Sequence, residues 1–134
     1  MDRLELCRLA ANAMQKSYSP YSNYTVGAAL LCADGTVYTG CNIENAAYTP
    51  TICAERTAIF KAVSDGKREF TAIAVAGGKN GVIQNGAPPC GVCRQVMAEF
   101  CGGDFEIFVV TGEESFEEYT LSQLLPESFG PENL

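Results

Sequence analysis

Apolar and polar residues follow two different periods along this chain, and the changes between them predict where helices and strands lie. Apolar residues three to four positions apart have the spacing of a helix that buries one face, whereas short runs rich in Val, Ile, Thr and aromatic residues favour strands. The predicted helices span residues 2–16, 54–63, 91–100 and 121–125, and the predicted strands span residues 24–32, 36–41, 70–76 and 105–111. Asp2 is a candidate N-cap of the first helix, and Asp34-Gly35 predicts a tight turn that joins the first two strands into a hairpin.

The order of these segments predicts a mixed β-sheet in a single α/β domain that spans residues 1–134. Strands 70–76 and 105–111 are predominantly apolar, as buried central strands are, and the helix between them predicts a parallel crossover. The hairpin adds antiparallel strands to the same sheet. Residues 77–89 contain four glycines and two prolines, so we predict a loop there. A hydrophobic content of 47% in 134 residues is sufficient for one core.

The charge of the chain limits the partners that it can recognise. Nine basic and sixteen acidic residues give a net charge of −7, and no cluster of lysine and arginine could follow a phosphate backbone. This argues against polymeric nucleic acid but not against an uncharged nucleoside, which is recognised by hydrogen bonds and stacking. The apolar runs are too short to cross a bilayer, and the first residues lack the layout of a signal peptide. We therefore expect a cytoplasmic protein, in which the seven cysteines stay reduced or bind metal.

Two short motifs carry the candidate chemistry, in a chain that has no histidine. They are Cys53-Ala54-Glu55 and Pro89-Cys90-Gly91-Val92-Cys93, and each stands where extended chain enters a predicted helix. Together they offer three thiolates and one carboxylate, which suits a zinc ion with three protein ligands and a fourth position for water. Without imidazole, Glu55 is the candidate proton carrier. The motifs predict a catalytic zinc site with Cys53, Cys90 and Cys93 as ligands.

Three thiolates give a divalent zinc a net charge of −1 and weaken it as a Lewis acid, so we expect a compensating cation. Arg56 follows Cys53 by three positions and Arg94 follows Cys90 by four, and both spacings place two side chains on one face of a helix. We predict that one or both arginines donate to thiolate sulfur. The alternative for each arginine is a solvated position on the surface.

A structural zinc site is the main alternative for the cysteines. A Cys-x-x-Cys pair is as typical of structural zinc as of catalysis, and Cys7, Cys32, Cys41 or Cys101 could supply a fourth thiolate. Buried free cysteines are a further possibility. A structural site would have no use for Glu55, which favours catalysis.

The motifs, taken together, resemble those of the small, homotetrameric, zinc-dependent cytidine deaminases over nearly the whole chain. The matching segments are residues 18–22 (YSPYS), 26–30 (VGAAL), 40–48 (GCNIENAAY), 53–58 (CAERTA), 89–95 (PCGVCRQ) and 124–126 (LLP). The resemblance implies a three-layer α/β/α fold around a mixed sheet of about five strands, with one zinc ion per subunit. It also implies hydrolysis of cytidine and 2′-deoxycytidine, in which activated water attacks C4 of the pyrimidine and Glu55 carries the protons.

The same resemblance assigns further residues to substrate binding. It implies that Asn42 and Glu44 bind the ribose hydroxyls, that Tyr24 stands where the family typically has Phe against the base, and that Ala54 offers its backbone amide. Tyr48 and Phe129 match positions that reach into a neighbouring subunit's site, which implies a homotetramer. One departure is the loop of residues 77–89, which is longer and richer in glycine than is typical of the family.

Three other functions remain open from the sequence. A deaminase of a cytosine nucleoside antibiotic such as blasticidin S would share the cysteine and glutamate motifs, although the Asn42-Ile43-Glu44-Asn45 run favours an ordinary ribose. A zinc-stabilised binding module would have four protein ligands and no turnover. An RNA editing role is disfavoured by the acidic charge.

Overall fold

The computed structural model describes all 134 residues. The four α-helices are α1 (Arg3–Ala13), α2 (Ala54–Ser64), α3 (Gly91–Phe100) and α4 (Leu121–Leu124), and the five strands are β1 (Tyr24–Cys32), β2 (Val37–Cys41), β3 (Phe70–Lys79), β4 (Glu106–Gly112) and β5 (Ser115–Thr120). Two 3₁₀ turns, Met14–Lys16 and Pro131–Asn133, follow α1 and precede the C-terminus. None of the helices has the length and apolar character needed to cross a bilayer.

The five strands form one sheet in the order β2-β1-β3-β4-β5. Strands β3 and β4 are parallel and are connected through α3, whereas the other three neighbouring pairs are antiparallel. The predicted hairpin and crossover are therefore confirmed. The sheet is mixed because the helical connection between β3 and β4 returns the chain in the same direction, whereas the short connections between β1 and β2 and between β4 and β5 reverse it.

Helices cover both faces of the sheet, as expected for three layers. Helix α1 packs on one face against small side chains of β3, namely Ala72, Ala74 and Ala76. Helices α2 and α3 cover the other face, where Ile73 and Val75 of the same strand point. This alternation follows from the period of two in a strand.

The start of α2 lies directly against strand β2 because Gly40 has no side chain. A Cβ atom at Gly40 would come within 2.6 Å of both the carbonyl oxygen of Ala54 and the amide nitrogen of Ala58. Such a contact is shorter than backbone atoms tolerate, so glycine is required for this close approach. The packing fixes the position of the residue before the helix, Cys53, relative to the sheet.

The structure corrects one local prediction and refines another. Residues 77–79 belong to strand β3 rather than to the loop. The backbone of Asp2 lies at the N-cap of α1, but its side chain makes no capping hydrogen bond.

Strand β5 carries no alternating apolar pattern, which is why the periodicity did not predict it. Its residues Glu117 and Glu118 pair with Val109 and Phe108 of β4 at the edge of the sheet. Charged residues are typical of edge strands because they discourage pairing with another chain. This strand completes the sheet of about five strands that the family resemblance implied.

Candidate metal centre

The two cysteine motifs lie where extended chain enters a helix, as the sequence predicted. Cys53 is the N-cap of α2 (φ −79°, ψ 157°) and Cys90 is the N-cap of α3 (φ −66°, ψ 166°). Cys93 is in the first turn of α3, three positions after Cys90. Both helix starts therefore bring sulfur atoms to one place, near the positive ends of the two helix dipoles.

The three thiols form a cluster with the dimensions of a zinc site. The Sγ atom of Cys90 lies 3.6 Å from that of Cys53 and 3.5 Å from that of Cys93, and all three lie within 4.8 Å of one another. Two zinc–sulfur bonds of about 2.3 Å at a tetrahedral angle place the sulfurs about 3.8 Å apart. The donor set therefore fits zinc without rearrangement of the helices.

No fourth cysteine joins this cluster. The remaining thiols, Cys7, Cys32, Cys41 and Cys101, are all unpaired and lie outside the group that could hold a metal ion. Cys41, for example, donates its thiol hydrogen to the carbonyl oxygen of Lys16. A four-cysteine structural site is thus not formed in this chain.

Arg56 contacts the thiols in the way that the sequence predicted. Its Nη2 atom donates to Sγ of Cys53 at 3.4 Å, and its Nε atom is buried without a hydrogen-bond partner. A hydrogen bond from Cys93 lowers the pKa of Cys53 to about 5, and the contact with Arg56 contributes in the same direction against the effect of burial. That hydrogen bond and burial together raise the pKa of Cys93. Arg56 therefore stabilises negative charge on the sulfur of Cys53.

Arg94 has different partners from those that the helical spacing predicted. Its Nε donates to the carbonyl oxygen of Pro89 at 2.6 Å, and its Nη1 donates to that of Leu124 at 2.7 Å. Spacing along a helix specifies the face of a side chain, but carbonyl oxygens close to that face compete for its donors. The guanidinium thus ties the residue before Cys90 to the end of α4.

Glu55 is a buried carboxyl group beside the cluster. It lies in the first turn of α2, is only 3% exposed, and its Oε1 atom has no hydrogen-bond partner. Burial raises the pKa of this carboxyl to about 7, with a smaller contribution from the charge of Cys53. A buried oxygen without a partner is rare in folded proteins and marks a position where a ligand or water is expected to bind.

The Glu55 side chain and two of the thiols line a cavity of about 340 Å³. Its wall consists of Tyr24, Val26, Asn42, Thr51, Ile52, Cys53, Glu55, Gly86, Ala87, Pro88 and Cys90. The sequence named Tyr24 and Asn42 and indicated a binding loop over residues 42–52, which includes Thr51 and Ile52, but it gave no such role to Val26 or to the residues before Cys90. Gly86, Ala87 and Pro88 could have been expected near the site because their loop leads directly into Cys90.

Asn42 and Glu44 are both held firmly by hydrogen bonds with the protein. Oδ1 of Asn42 accepts from the hydroxyl of Ser17 at 2.5 Å and from the amide of Val26 at 2.9 Å, and its Nδ2 donates to the carbonyl of Tyr24 at 2.8 Å. Glu44 accepts from the amides of Tyr21 and Ser22 and from the Ser22 hydroxyl. The hydrogen bond from the Ser22 hydroxyl is the main reason that the pKa of Glu44 is lowered.

Glu44 lies in a second cavity, which adjoins the first at Thr51. The aromatic ring of Tyr48 lines this second cavity and is 72% exposed, with a left-handed backbone (φ 63°). Phe129 lines neither cavity and is 51% exposed, while its carbonyl oxygen accepts from Gln95. The structure thus places Tyr48 and Phe129 outside the cavity that contains Glu55. Ala54, at the first position of α2, is fully buried.

Comparison with known proteins identifies the family that has this arrangement. A model described as the cytidine and deoxycytidylate deaminase zinc-binding region matches residues 1–109, a range that includes all three clustered thiols. The chain belongs to this deaminase family. Its members are zinc-dependent hydrolases, so the predicted enzyme class and the predicted zinc cofactor are confirmed, and the thiol cluster is positioned to bind the metal.

Individual deaminases are similar to this chain over its full length. A cytidine deaminase of Sporosarcina psychrophila is 50% identical over 134 residues, which cover all of this chain and 96% of that protein. A cytidine deaminase of Halalkalibacterium halodurans is 48% identical, with 100% of this chain and 98% of that protein covered. The crystal structure of a cytidine deaminase from Burkholderia pseudomallei superimposes with a TM-score of 0.88 at 43% identity, covering 96% of this chain and 100% of that one. The predicted three-layer fold is confirmed by this superposition.

Proposed function

We propose that this deaminase converts cytidine and 2′-deoxycytidine to uridine and 2′-deoxyuridine with release of ammonia. The observation that carries the proposal is the buried, unpartnered carboxyl oxygen of Glu55, a residue that lines the cavity beside three converging thiols. The full-length similarity to proteins named cytidine deaminase supports the same substrates.

In this proposal, Cys53, Cys90 and Cys93 hold the zinc ion. Bound zinc makes water nucleophilic at neutral pH, which is the chemistry that attack on C4 of the pyrimidine requires. The protein contributes the three soft ligands and the two helix ends that stabilise their negative charge. Arg56 removes part of that charge through its bond to Cys53, so that the metal remains a sufficient Lewis acid.

Glu55 moves the protons. Its carboxylate accepts a proton from the attacking water and delivers it to N3 of the base. It then accepts the second proton from the hydroxyl group added at C4 and donates it to the leaving amino group. The C4–N bond breaks as a carbonyl forms at C4, so one water is consumed and one ammonia is released. A carboxyl group whose pKa is close to neutrality can accept and donate a proton with similar ease.

Asn42 and Glu44 bind the ribose hydroxyls, and Tyr24 stacks on the base. The hydrogen bonds from Ser17 and Val26 fix the orientation of the Asn42 amide, and its Nδ2, which donates one N–H to Tyr24, has a second N–H left to donate. Glu44 stays ionised because its pKa is lowered. A fixed carboxylate would repel a phosphate group, so we expect nucleosides to be better substrates than nucleotides.

Neighbouring subunits complete each site in a homotetramer. The exposed rings of Tyr48, which lines the second cavity, and of Phe129 support this part of the proposal, because large exposed aromatic side chains are typical of a surface that a partner covers. We expect light scattering coupled to size exclusion to give the mass of four chains. A monomer with full activity would contradict a shared active site.

The decisive test is the loss of ultraviolet absorbance of cytidine at matched protein and zinc concentrations. We expect turnover that is lost after chelation and restored by added zinc. Blasticidin S provides the comparison for an antibiotic deaminase, and turnover of that compound without turnover of cytidine would overturn the proposed substrate. Turnover by protein shown to contain no zinc would overturn the mechanism.

Replacing Arg56 with glutamine is expected to lower kcat by about 10- to 100-fold, because the Cys53 thiolate would lose its charged donor. Zinc content and kcat are to be measured together, and the Arg56→Lys variant is expected to retain more activity. Arg68→Gln is the matched control, since Arg68 donates only to backbone carbonyls of Val63 and Lys67. An undiminished rate in Arg56→Gln would exclude the charge-compensating role.

A further inference from the structure

We infer that Cys90 and Cys93 form a disulfide when the protein lacks zinc. The thiol cluster then either binds the metal ion or is oxidised. This modification site goes beyond the proposed reaction. It uses the same sulfur atoms, but neither cytidine nor Glu55 takes part in it.

The two thiols have the arrangement that an intramolecular disulfide requires. Cys90 is exposed at the N-cap of α3, where a small oxidant reaches it, and Cys93 lies buried one turn further along. Their sulfur atoms are already 3.5 Å apart, and a disulfide bond brings them to about 2.0 Å. Because both residues belong to the same helix start, closure moves no structural element against another.

Cys53 is a less suitable partner for Cys90, although the two sulfurs are 3.6 Å apart. Cys53 belongs to α2, and a bond between the two would draw two helix starts together. Helix α2 is fixed on the sheet by its close contact with Gly40. The sulfur of Cys53 is also held by the guanidinium of Arg56.

The four thiols outside the cluster do not compete for the oxidant. Cys7 and Cys32 are buried, and Cys41 donates to a backbone carbonyl. Burial raises the pKa of Cys7 to about 11 and that of Cys101 to about 12, so both stay protonated and are poor nucleophiles.

Hydrogen peroxide supplies the oxidant in the simplest form of the reaction. The sulfur of Cys90 attacks one peroxide oxygen, the O–O bond breaks, and a sulfenic acid and one water form. The sulfur of Cys93 then attacks that of Cys90, the S–O bond breaks, and a second water leaves as the disulfide forms. The two thiols lose two protons and two electrons in total, and the peroxide is reduced to two waters.

Zinc and the disulfide exclude each other. The disulfide removes two of the three ligands and leaves Cys53 alone, which is insufficient for a zinc site. Conversely, zinc bound to both sulfurs occupies the electron pairs that would attack the peroxide. We therefore expect bound zinc to protect the thiol cluster against oxidation.

The test compares the full-length protein as purified with zinc and after removal of zinc by a chelator. Both samples are treated with hydrogen peroxide, the remaining thiols are alkylated, and the protein is digested with trypsin. Cleavage after Lys79 and Arg94 yields peptide 80–94, which contains Cys90 and Cys93 and no other cysteine. Cys53 is on a separate peptide, residues 17–56.

We expect peptide 80–94 from the zinc-free sample to be unalkylated and two hydrogen atoms lighter than the dithiol. The zinc-loaded sample is expected to give at least tenfold less of this species, and reduction by dithiothreitol should restore zinc binding to a metal-sensitive dye. The Cys93→Ser variant should lose the lighter peptide, and the Cys101→Ser variant should retain it.

Three results would overturn the inference: a fully alkylated peptide 80–94 in the treated zinc-free sample, a crosslink between peptides 80–94 and 17–56, or equal oxidation with and without zinc. The readout is the mass of a peptide rather than enzyme activity. A failure here would therefore leave the proposed deamination intact, and a failure to deaminate cytidine would leave this result intact.

Discussion

Replacing Glu55 with glutamine is expected to lower kcat for cytidine by about 10⁴-fold or more while the protein keeps its fold and its zinc. Glutamine has nearly the same shape as glutamate but cannot accept a proton from water or deliver one to N3. The residue is almost fully buried, so the neutral amide also avoids carrying a charge into the protein interior. The Tm of the variant should accordingly equal or exceed that of the parent.

The measurement combines the ultraviolet assay with zinc quantification and thermal unfolding. Glu99→Gln is the matched control, because Glu99 is exposed on α3 and its side chain lies away from the cavity. That control should deaminate cytidine at the parent rate. A Glu55→Gln variant that retains zinc and more than about a tenth of the parent rate would exclude Glu55 as the proton carrier.

Replacing Cys90 with alanine is expected to weaken zinc binding by more than about 100-fold and to abolish measurable turnover. The substitution removes the sulfur that lies within 3.6 Å of both other thiols, and two thiolates cannot hold the ion against competing chelators. Competition with a metal-sensitive dye gives the affinity. Activity should recover only partly at high zinc concentrations.

Cys101→Ala is the control for the loss of a thiol as such. Cys101 follows α3 and lies outside the cluster, so its replacement should leave zinc affinity and kcat unchanged. The pair of variants therefore separates the metal site from general effects of cysteine loss. Equal zinc affinity in Cys90→Ala and the parent would show that Cys90 is not a ligand.

Much of the fold and the centre of the site could be predicted because the decisive patterns are local. The paired motifs at Cys53 and Cys90 each stand beside a helical run, and a residue before a helix has its position set by its own neighbours. The parallel crossover between β3 and β4 likewise follows from segment order, since a helix joins them.

Features that depend on contacts between distant segments could not be predicted in this way. The helical spacing of Arg94 was compatible with a thiolate partner, yet its guanidinium binds the carbonyl oxygens of Pro89 and Leu124. Strand β5 has glutamates where periodicity calls for alternation, and only its pairing with β4 makes it a strand. The cavity wall draws on β1, the Thr51 segment and the loop before Cys90, which are far apart in sequence.

The sequence by itself predicted the donor atoms, since it has no histidine and places three thiols and one carboxylate in two motifs that each stand at the start of a helix. It could not determine that the sulfurs converge to 3.5 and 3.6 Å, that no fourth thiol joins them, or that Arg56 rather than Arg94 contacts them. Those outcomes depend on how α2 and α3 pack side by side on one sheet, and Gly40 sets part of that packing. The chemistry of each side chain follows from the sequence, whereas the distances between residues that are far apart in sequence depend on all the tertiary contacts together.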